Sequence, residues 1–294
     1  MKHGRFHRPM VGATLACTAM SLFAIQDAVI KLLSQGYSLF QILFSRSIVV
    51  VLILFVWLYR QKGLSTFRTS RVKDHALRVT FNFTAFLIYY FALSRLPLSV
   101  ATAIALSSPL FLTALSGPLL GEPADFKRKL ILATGFAGVL IVIQPNELTL
   151  DWIGVVAAVF GAFMFAMLGI QTRKMSATEN TDLMVFYGSL VFLIITSMTL
   201  PFNWITPSSE DWVLLLSVGL ITLFAQYAIV HAYQFAPVYV LAPFEYVIII
   251  WAIVLGWLMF SEIPTAAMLS GSAVIIVCGL LVARMERMDA ESRH

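Results

Sequence analysis

Residues 240–264 read VLAPFEYVIIIWAIVLGWLMFSEIP, a nearly unbroken apolar run that carries one proline and one glutamate before its polar end. About 20 apolar residues is the length of a helix that crosses a bilayer. The whole chain shares this character, since 60% of its 294 residues are hydrophobic and only 12% are charged. A soluble domain usually has about 25% charged residues. The sequence therefore predicts an all-α polytopic membrane protein.

Apolar blocks of this kind recur along the chain, and short polar connections separate them. The ten blocks are residues 10–33, 38–59, 75–94, 98–120, 129–145, 152–172, 183–201, 212–235, 238–260 and 265–283. The first block follows a basic prefix, but it is too long for a signal peptide and lacks a cleavage site of small residues. Cys17 and Cys278 lie inside apolar blocks, so no disulfide framework is indicated. We therefore expect ten transmembrane helices.

The basic residues are distributed unevenly between the two sides of the expected membrane domain. Of the 20 Lys and Arg residues, all except Lys31, Arg46, Arg78 and Arg95 fall in segments on the same side as the N-terminus. This asymmetry follows the positive-inside rule and predicts cytoplasmic N- and C-termini, most naturally in a bacterial inner membrane. It also accounts for the net charge of +5 without a nucleic-acid partner.

The two halves of the chain correspond at nearly constant offsets. Shifts of 142 and 140 residues align landmarks near helix ends: Lys31 with Arg173, Phe44 with Phe186, Pro97 with Pro237, and Glu122 with Glu262. Because five helices are an odd number, the second half would enter the membrane from the opposite side. We therefore expect two inverted five-helix repeats, residues 10–146 and 151–284, around a central cavity, as in many secondary transporters.

Several of these segments carry a family resemblance. LSVATAIALSSPLFLTALSGPLLGEP at 98–123, and the stretch quoted first, resemble the fourth helix of each repeat in the EamA family of the drug/metabolite transporter superfamily. GFAGVLIVIQP at 135–145 and CGLLVARMER at 278–287 are similar to the helices that follow. The resemblance implies a transport function and a cavity lined mainly by helices 1, 3, 4, 6, 8 and 9. Helices 5 and 10 would be scaffold.

The prolines of the two repeats differ in position. At an offset of 140, Pro109 of the first repeat aligns with Ile249, and Pro243 of the second aligns with Ala103. Proline removes a helical hydrogen bond and often breaks a membrane helix. We therefore expect the fourth helix of each repeat to break at a different depth. Ser107, near the first break, is a candidate cavity residue, and Tyr246 is a candidate wall residue for substrate binding.

Ionisable residues inside the apolar blocks require a partner or a cavity, since an ionised side chain at the bilayer centre costs about 3 kcal/mol. Folding helices 1 and 2 as a hairpin places Asp27 level with Arg46. One interpretation is a structural ion pair between them. The other is that Arg46 anchors a substrate carboxylate or phosphate, which Asp27 helps to release. Lys31 is close enough to the outer end to reach the membrane surface.

Helix 3 carries a polar and aromatic stripe at helical spacing, formed by Arg78, Asn82, Phe86 and Tyr90. It could line a half-channel that opens to the cytoplasm, with Arg78, Asn82 and Tyr90 in contact with substrate. Ordinary helix packing is the alternative, with Arg78 directed toward lipid headgroups.

Helices 8 and 9 offer a second polar group, formed by Gln226, Tyr227, His231 and Glu245. An antiparallel pairing of these helices places His231 level with Glu245. Desolvation favours a neutral carboxyl group and a nearby cation favours the charged form, so this pair is a candidate proton-coupling element. A fixed structural hydrogen bond is the alternative. Gln226 and Tyr227 are candidate substrate contacts.

Intramembrane cations outnumber intramembrane carboxylates, which favours an anionic or zwitterionic organic metabolite of amino-acid to vitamin size. The sequence contains no Gly-rich phosphate loop, Cys/His metal cluster or catalytic constellation, so we expect no cofactor, no metal and no enzymatic activity. The expected partners are the metabolite and membrane lipid, with protons as the candidate coupling ion and a monomer or homodimer as the assembly. A channel, a lipid scramblase and an exporter of cationic drugs are the alternatives.

Overall fold

The computed structural model describes residues 9–67, 69, 71–120, 126–144, 151–175, 179, 181–235, 241 and 244–292. Helices dominate these ranges, with one short 3₁₀ helix at Gly63–Phe67 and no strand in the described part of the chain. The α-helices are α1 Pro9–Leu33, α2 Leu39–Lys62, α3 Val72–Arg95, α4 Leu98–Ala105, α5 Ser108–Leu120, α6 Phe126–Ile143, α7 Trp152–Met175, α8 Thr181–Asn203, α9 Ser209–Phe235, α10 Val247–Phe260 and α11 Ala266–Ser292.

The helices coincide with the apolar blocks of the sequence. Among the described residues, eight helical stretches are long and apolar enough to cross a membrane, and α4 and α5 together form one of them, Leu98–Leu115. Two shorter apolar helices, Lys129–Ile143 and Val247–Phe260, occupy the remaining two blocks. The predicted all-α membrane architecture is therefore confirmed.

Local polar groups define where several helices begin and end. Ser38 caps α2, because its side-chain oxygen accepts a hydrogen bond from the Gln41 N–H at 3.2 Å. The helix ends at Gly63, whose φ of 64° is readily adopted by glycine. At the start of α7, a carboxylate oxygen of Asp151 accepts from the Gly154 N–H at 3.0 Å, and this bond lowers the pKa of Asp151.

Helix packing follows a two-fold relation between the halves. The first helix of each half packs against the third helix of the other half, as α1 on α9 and α7 on α3. The first helix of each half also meets the fourth of the other, as α1 on α10 and α7 on α4 and α5. Two further extensive contacts join equivalent helices, α2 with α8 and α6 with α11, and α9 also packs against α2. This pattern is the one that two repeated halves produce when they interleave.

This interleaving overturns the expected hairpin of helices 1 and 2. α9 packs against both α1 and α2, and the extensive contacts of α1 are with α9 and α10 rather than with α2. A short connection, with turns at Ser34–Tyr37, therefore joins two helices that diverge. The sequence argument placed their residues at the correct level but assumed that chain neighbours are also packing neighbours.

The fourth helix of each half breaks at the same place, contrary to the expectation from the prolines. A turn at Leu106–Ser107 separates α4 from α5, and a turn at Tyr246 precedes α10. An offset of 140 residues places Leu106 on Tyr246. Pro109 sits in the first turn of α5, where a missing N–H is tolerated. Pro243 lies outside the described residues.

Large apolar side chains cover the outer surface of the helix assembly. Val156 on α7, Phe224 on α9 and Trp257 on α10 are each about three-fifths exposed. A soluble monomer rarely exposes a broad apolar surface of this kind, whereas a bilayer covers it with lipid. The core between the helices is in turn built from small residues such as Ala28 and Ala158, which allow close helix contact.

Candidate functional site

Four helices bring buried polar side chains together between the two halves of the molecule. We call this group the polar cluster, and its members are Gln26 and Asp27 of α1, Arg46 of α2, Tyr89 and Tyr90 of α3, and Thr222 of α9. Asp27 lies six residues before the end of α1, which corresponds to roughly 9 Å along the helix. The polar cluster therefore lies in the half of the membrane domain that contains the connection between α1 and α2.

Asp27 is 5% exposed and accepts a hydrogen bond from the Tyr89 hydroxyl at 2.7 Å. No cation of the described residues lies within 4.0 Å of its carboxylate, so the predicted ion pair with Arg46 is wrong. The reason is the position of α1, which packs on α9 and reaches α2 only across the two tyrosines. Lys31, one helical turn after Asp27, is directed elsewhere.

Arg46 is 9% exposed and has no acidic partner among the described residues. Its Nη1 donates a hydrogen bond to the Tyr90 hydroxyl at 3.1 Å. The guanidinium carbon lies over three rings, at 5.1 Å from the centroid of Phe86, 5.6 Å from Tyr90 and 5.9 Å from Phe192. Aromatic faces attract cations, so these rings replace part of the lost hydration. They do not neutralise the charge.

Two neutral members of the polar cluster join the halves. The Gln26 side chain is 2.6 Å from the Tyr90 hydroxyl, and the Thr222 hydroxyl is 2.5 Å from the other end of the same amide. Tyr90 is thereby linked through α1 to α9 of the second half. Our sequence analysis missed Gln26 and Thr222, because it searched the apolar blocks mainly for charged residues. A buried amide needs hydrogen-bond partners, as a buried charge does. The position of Gln26 inside an apolar block was therefore a signal that the sequence offered.

The stripe on α3 divides into two parts. Phe86 and Tyr90 contact Arg46, as described, and Phe86 also meets Phe165 of α7 edge-on at 4.9 Å. Arg78 contacts neighbouring helices, since Nε donates to the Thr172 hydroxyl at 3.0 Å and Nη1 to a carbonyl of α8 at 2.9 Å. Arg46 and Arg78 therefore have different surroundings, and Arg78 joins α3 to α7 and α8.

Asn82 and Ser107 complete the candidates of the first half. Asn82 is half-buried on α3 and faces Gly188 of α8, where an added Cβ would lie 2.9 Å from the Asn82 amide nitrogen. Ser107 is fully buried at the break between α4 and α5, and its hydroxyl donates to the Ile104 carbonyl at 2.6 Å. Neither residue contacts the polar cluster through a hydrogen bond within the described part of the chain.

The candidates of the second half do not converge as expected. Tyr227 is 60% exposed on the lipid side of α9, and the His231 ring lies 3.8 Å from its ring. His231 Nδ1 is 2.8 Å from the Tyr227 carbonyl, and no ion pair joins His231 to Glu245. The expected pairing of His231 with Glu245 is therefore not among the ion pairs of the described residues, and its role in proton coupling stays a prediction. Glu245 is half-buried, as is Gln226.

Tyr246 is buried at the turn before α10 and faces α11. An added Cβ on Gly279 would lie 1.6 Å from the Tyr246 hydroxyl, so only glycine leaves room for this contact. This places Tyr246 against a helix that the family resemblance describes as scaffold. Its position is that of a packing residue at the second helix break.

Lys31 takes part in an ion pair where α1 ends and α4 begins, at the end of the molecule that the distribution of basic residues predicts to face outward. Its ammonium lies 2.7 Å from the Glu262 carboxylate and also donates to the Leu96 carbonyl. The second oxygen of Glu262 accepts from the N–H of Leu98, the first residue of α4, at 2.7 Å. We call these residues the outer tie. A carboxylate at a helix N-terminus is favourable, and here it connects the second half to the first.

None of the described residues forms a group of three or more His, Cys, Asp or Glu side chains that could hold a metal ion. The polar cluster offers a guanidinium, a carboxylate, phenols and an amide next to aromatic rings. Such a set binds and orients polar organic molecules by hydrogen bonds and charge.

Comparisons with known proteins identify relatives that match nearly the whole chain. An S-adenosylmethionine uptake transporter of Rickettsia prowazekii is 27% identical over 274 residues, which are 92% of each chain. A riboflavin transporter of Vibrio cholerae is 28% identical and covers 95% of each chain. The pseudopaline exporter CntI of Pseudomonas aeruginosa is 26% identical over 94% of this chain and 97% of its own.

A solved crystal structure resembles the fold, with a TM-score of 0.63 at 16% identity over 96% of this chain and 99% of that chain. The model of one family matches the sequence twice, at residues 10–144 and 152–285. The two matches fall on the two interleaved halves of the structure and together span nearly the whole sequence. The protein therefore belongs to the EamA-like transporter family, a member of the drug/metabolite transporter group built from two copies of one repeat.

Proposed function

We propose that this protein moves a small organic metabolite with an anionic or zwitterionic group across the bacterial inner membrane by alternating access. The substrate would bind at the polar cluster, where the two halves meet. The repeats would comprise residues 10–146 and 151–284 and would rock against each other around this point. Both termini would lie in the cytoplasm.

The observation that supports this proposal most directly is the state of Arg46. A guanidinium buried to this degree without a carboxylate partner is costly in a membrane protein, unless an anionic group joins it during the working cycle. The three rings around it provide flat faces for the organic part of a substrate. A protein that carried only inorganic ions would have little use for them.

The relatives support the same size class. Their names describe uptake of S-adenosylmethionine, transport of riboflavin and export of pseudopaline. All three transported compounds are small organic metabolites. One of the names specifies uptake and another specifies export. We therefore propose the substrate class without assigning a direction.

Coupling to protons would use a buried carboxyl group. Asp27 is the first candidate, because it is buried between the halves, has a neutral hydrogen-bond partner and lies in the polar cluster. Glu245, half-buried beside the break that precedes α10, is the second. His231 forms no ion pair with either carboxyl group among the described residues, so we place it after both as a candidate coupling residue.

Counterflow into proteoliposomes tests the transporter proposal. Vesicles loaded with an excess of unlabelled metabolite are diluted into a trace of labelled metabolite, and a carrier accumulates the label transiently above equilibrium. S-adenosylmethionine and riboflavin are suitable first probes. A channel or scramblase would only equilibrate the label. Movement of permanently cationic compounds alone would contradict the proposed substrate charge.

Cysteine labelling tests the proposed orientation. Single cysteines at Gln35 and Ser208 should react with an impermeant reagent added to intact cells, and cysteines in the connection between α2 and α3 should not. The background requires Cys17 and Cys278 to be replaced first. Labelling of the α2–α3 connection from outside would overturn the orientation.

A further inference from the structure

The polar cluster contains two side chains of opposite charge type that form no direct ion pair with each other. Asp27 and Arg46 are both more than nine-tenths buried, and their charged groups are further apart than 4.0 Å. Two adjacent residues of α3 stand between them, because Tyr89 binds the carboxylate and Tyr90 binds the guanidinium. A purely structural pair would gain more by direct contact, so the separation needs another explanation.

Among the described residues, the neighbouring intramembrane cations are committed to other partners. Lys31, the one Lys or Arg of α1, binds Glu262 and the Leu96 carbonyl. Arg78 of α3 is bonded to α7 and α8, more than two helical turns away from Tyr89. The contacts that α9 makes with this group come from the neutral Thr222.

Each of the two charges keeps capacity for a further contact. Arg46 uses only Nη1 in a hydrogen bond within the described part of the chain, which leaves the N–H groups of Nε and Nη2. Asp27 accepts from one hydroxyl, whereas a carboxylate has about four acceptor positions. The unused donors belong to the side chain bound by Tyr90, and the unused acceptors belong to the side chain bound by Tyr89.

From this arrangement we infer that the polar cluster recognises a zwitterionic head group, an ammonium and a carboxylate carried by the same small molecule, as in an α-amino acid. The substrate carboxylate binds Arg46 and its ammonium binds Asp27, so the substrate completes both partial pairs at once. This inference rests on the proposed transport function and narrows its substrate class. A simple anion would leave Asp27 unpaired, and a simple cation would leave Arg46 unpaired.

The same arrangement sets the orientation of the substrate. Phe86 and Phe192 flank Arg46 from the first and second half, so the apolar part of the molecule next to the carboxylate meets their rings. Gln26 is a positioning residue, because it fixes the Tyr90 hydroxyl that holds Arg46. Tyr89 performs the equivalent task for Asp27.

Three probes with the same side chain and different head groups test the inference. They are L-methionine, which is zwitterionic, N-acetyl-L-methionine, which is an anion, and L-methionine methyl ester, which is a cation. Thermal stabilisation of the purified full-length protein reports binding, since a ligand of the folded state raises the melting temperature by mass action. We expect the zwitterion to bind at least about 10-fold more tightly than either blocked analogue, equivalent to about 1.4 kcal/mol. Equal stabilisation by all three, or none by the zwitterion, would overturn the inference.

Two substitutions test separately the recognition of the substrate ammonium and of the substrate carboxylate. Asp27→Asn should weaken binding of L-methionine to the level of the acetylated anion and leave the anion unchanged. Arg46→Gln should weaken L-methionine to the level of the ester. Asp74→Asn is the matched control, because Asp74 pairs with Arg71 at the other end of α3. An Asp27→Asn protein that keeps full selectivity for the zwitterion contradicts the assignment.

Counterflow distinguishes the two levels of the proposal. If wild-type protein exchanges N-acetyl-L-methionine as well as L-methionine, the head-group inference fails and the transporter proposal stands. If no organic solute shows counterflow, including S-adenosylmethionine and riboflavin, the proposed function fails. The probe series on wild-type protein needs no substitution, so a variant that does not fold leaves the test intact.

Discussion

The two halves of the molecule share their packing but differ in their chemistry. The offset of 142 residues that relates α1 and α2 to α7 and α8 places Asp27 on Gly169 and Arg46 on Gly188. The two charges of the polar cluster thus have glycines as their counterparts. The scaffold is duplicated, whereas the charged part of the site exists once. A repeated fold can therefore carry a binding site that is not repeated.

The glycines of the second half have their own use. An added Cβ at Gly169 would lie 2.8 Å from a methyl group of Leu112, and one at Gly188 would lie 2.9 Å from the Asn82 amide. Both positions allow a close approach between helices, where the first half has a charged side chain. The second half contributes one neutral member of the polar cluster, Thr222. It also places the Phe192 ring beside Arg46. At these two positions, the first half thus supplies charged side chains and the second half supplies glycines that let helices pack closely.

The strongest test of this contrast removes the charge from the first half. Arg46→Gln should lower transport by at least about 10-fold, because hydrogen bonds to charged groups contribute about 1.5–3 kcal/mol each. Counterflow in proteoliposomes measures the loss. Arg78→Gln is the matched arginine control, and it should lower the melting temperature more than the substrate affinity, since the hydrogen bonds of Arg78 among the described residues go to α7 and α8. Equal losses of affinity in both variants would contradict the contrast.

A second test separates the halves at the outer end. Glu262→Gln leaves Lys31 without a carboxylate and weakens the outer tie. A change of 1–2 kcal/mol shifts an equilibrium by roughly 5–30-fold, so we expect the outward-open state to gain by a factor of that order. Labelling of a cysteine at Ser99, which is buried near the start of α4, should accelerate accordingly.

The exposed pair of Arg95 and Asp151 provides the control for the outer tie. Its two charged groups are also 2.7 Å apart, but the side chains are 38% and 29% exposed. Exposed ion pairs contribute little, so Arg95→Gln should leave the labelling rate unchanged. The combined exchange Lys31→Glu and Glu262→Lys should restore slow labelling. Unchanged labelling in Glu262→Gln would show that the tie does not hold the outer end closed.

A third test compares two glycines of the second half, Gly219 and Gly188, that both pack against helices of the first half. Gly219→Ala would bring a Cβ to 2.6 Å from the Val49 Cβ and 2.9 Å from the Arg46 carbonyl, both fixed parts of α2. We expect a loss of about 1–3 kcal/mol of stability from overpacking, and a shift of the backbone that carries Arg46. Gly188→Ala meets only the end of the Asn82 side chain, which can rotate, so its effect should be smaller. Melting temperatures in detergent decide the order.

The smallest effect is expected at the position that sequence reasoning favoured most in the second half. His231→Gln should change transport by less than about 2-fold and leave its pH profile unaltered, because His231 contacts the exposed Tyr227 and no acidic side chain by an ion pair. Transport measured between pH 5.5 and 8 provides the comparison. Loss of the pH dependence in this variant would restore His231 as a coupling residue.

The sequence was sufficient to predict where the helices lie along the chain. It was not sufficient to predict which helices pack against each other. Apolar blocks of membrane length predict helices because lipid permits few other structures, and this reasoning located almost every helix correctly. It also placed Asp27 and Arg46 at one level. It failed for their ion pair, because sequence gives the depth of a residue but not which helix it faces. That choice depends on packing between helices distant in the chain.

The break in the fourth helices shows a related limit. The prolines of the two copies are out of register, yet the turns at Leu106 and Tyr246 coincide. The position of the break is therefore set by what the repeated packing requires rather than by proline alone. Gln26 was missed for a different reason, since an uncharged side chain attracts less attention than a charge, although its burial demands partners equally.

The bond between Gln26 and Thr222 also has a consequence for the order of synthesis. The two residues are 196 positions apart, so at about 5–20 residues per second the ribosome makes Thr222 roughly 10–40 s after Gln26. During that interval α1 is already made, but α9, its main packing partner, is not. The first half must therefore wait in the membrane with its polar face incomplete. Biogenesis of this protein should accordingly be sensitive to anything that delays translation of its second half.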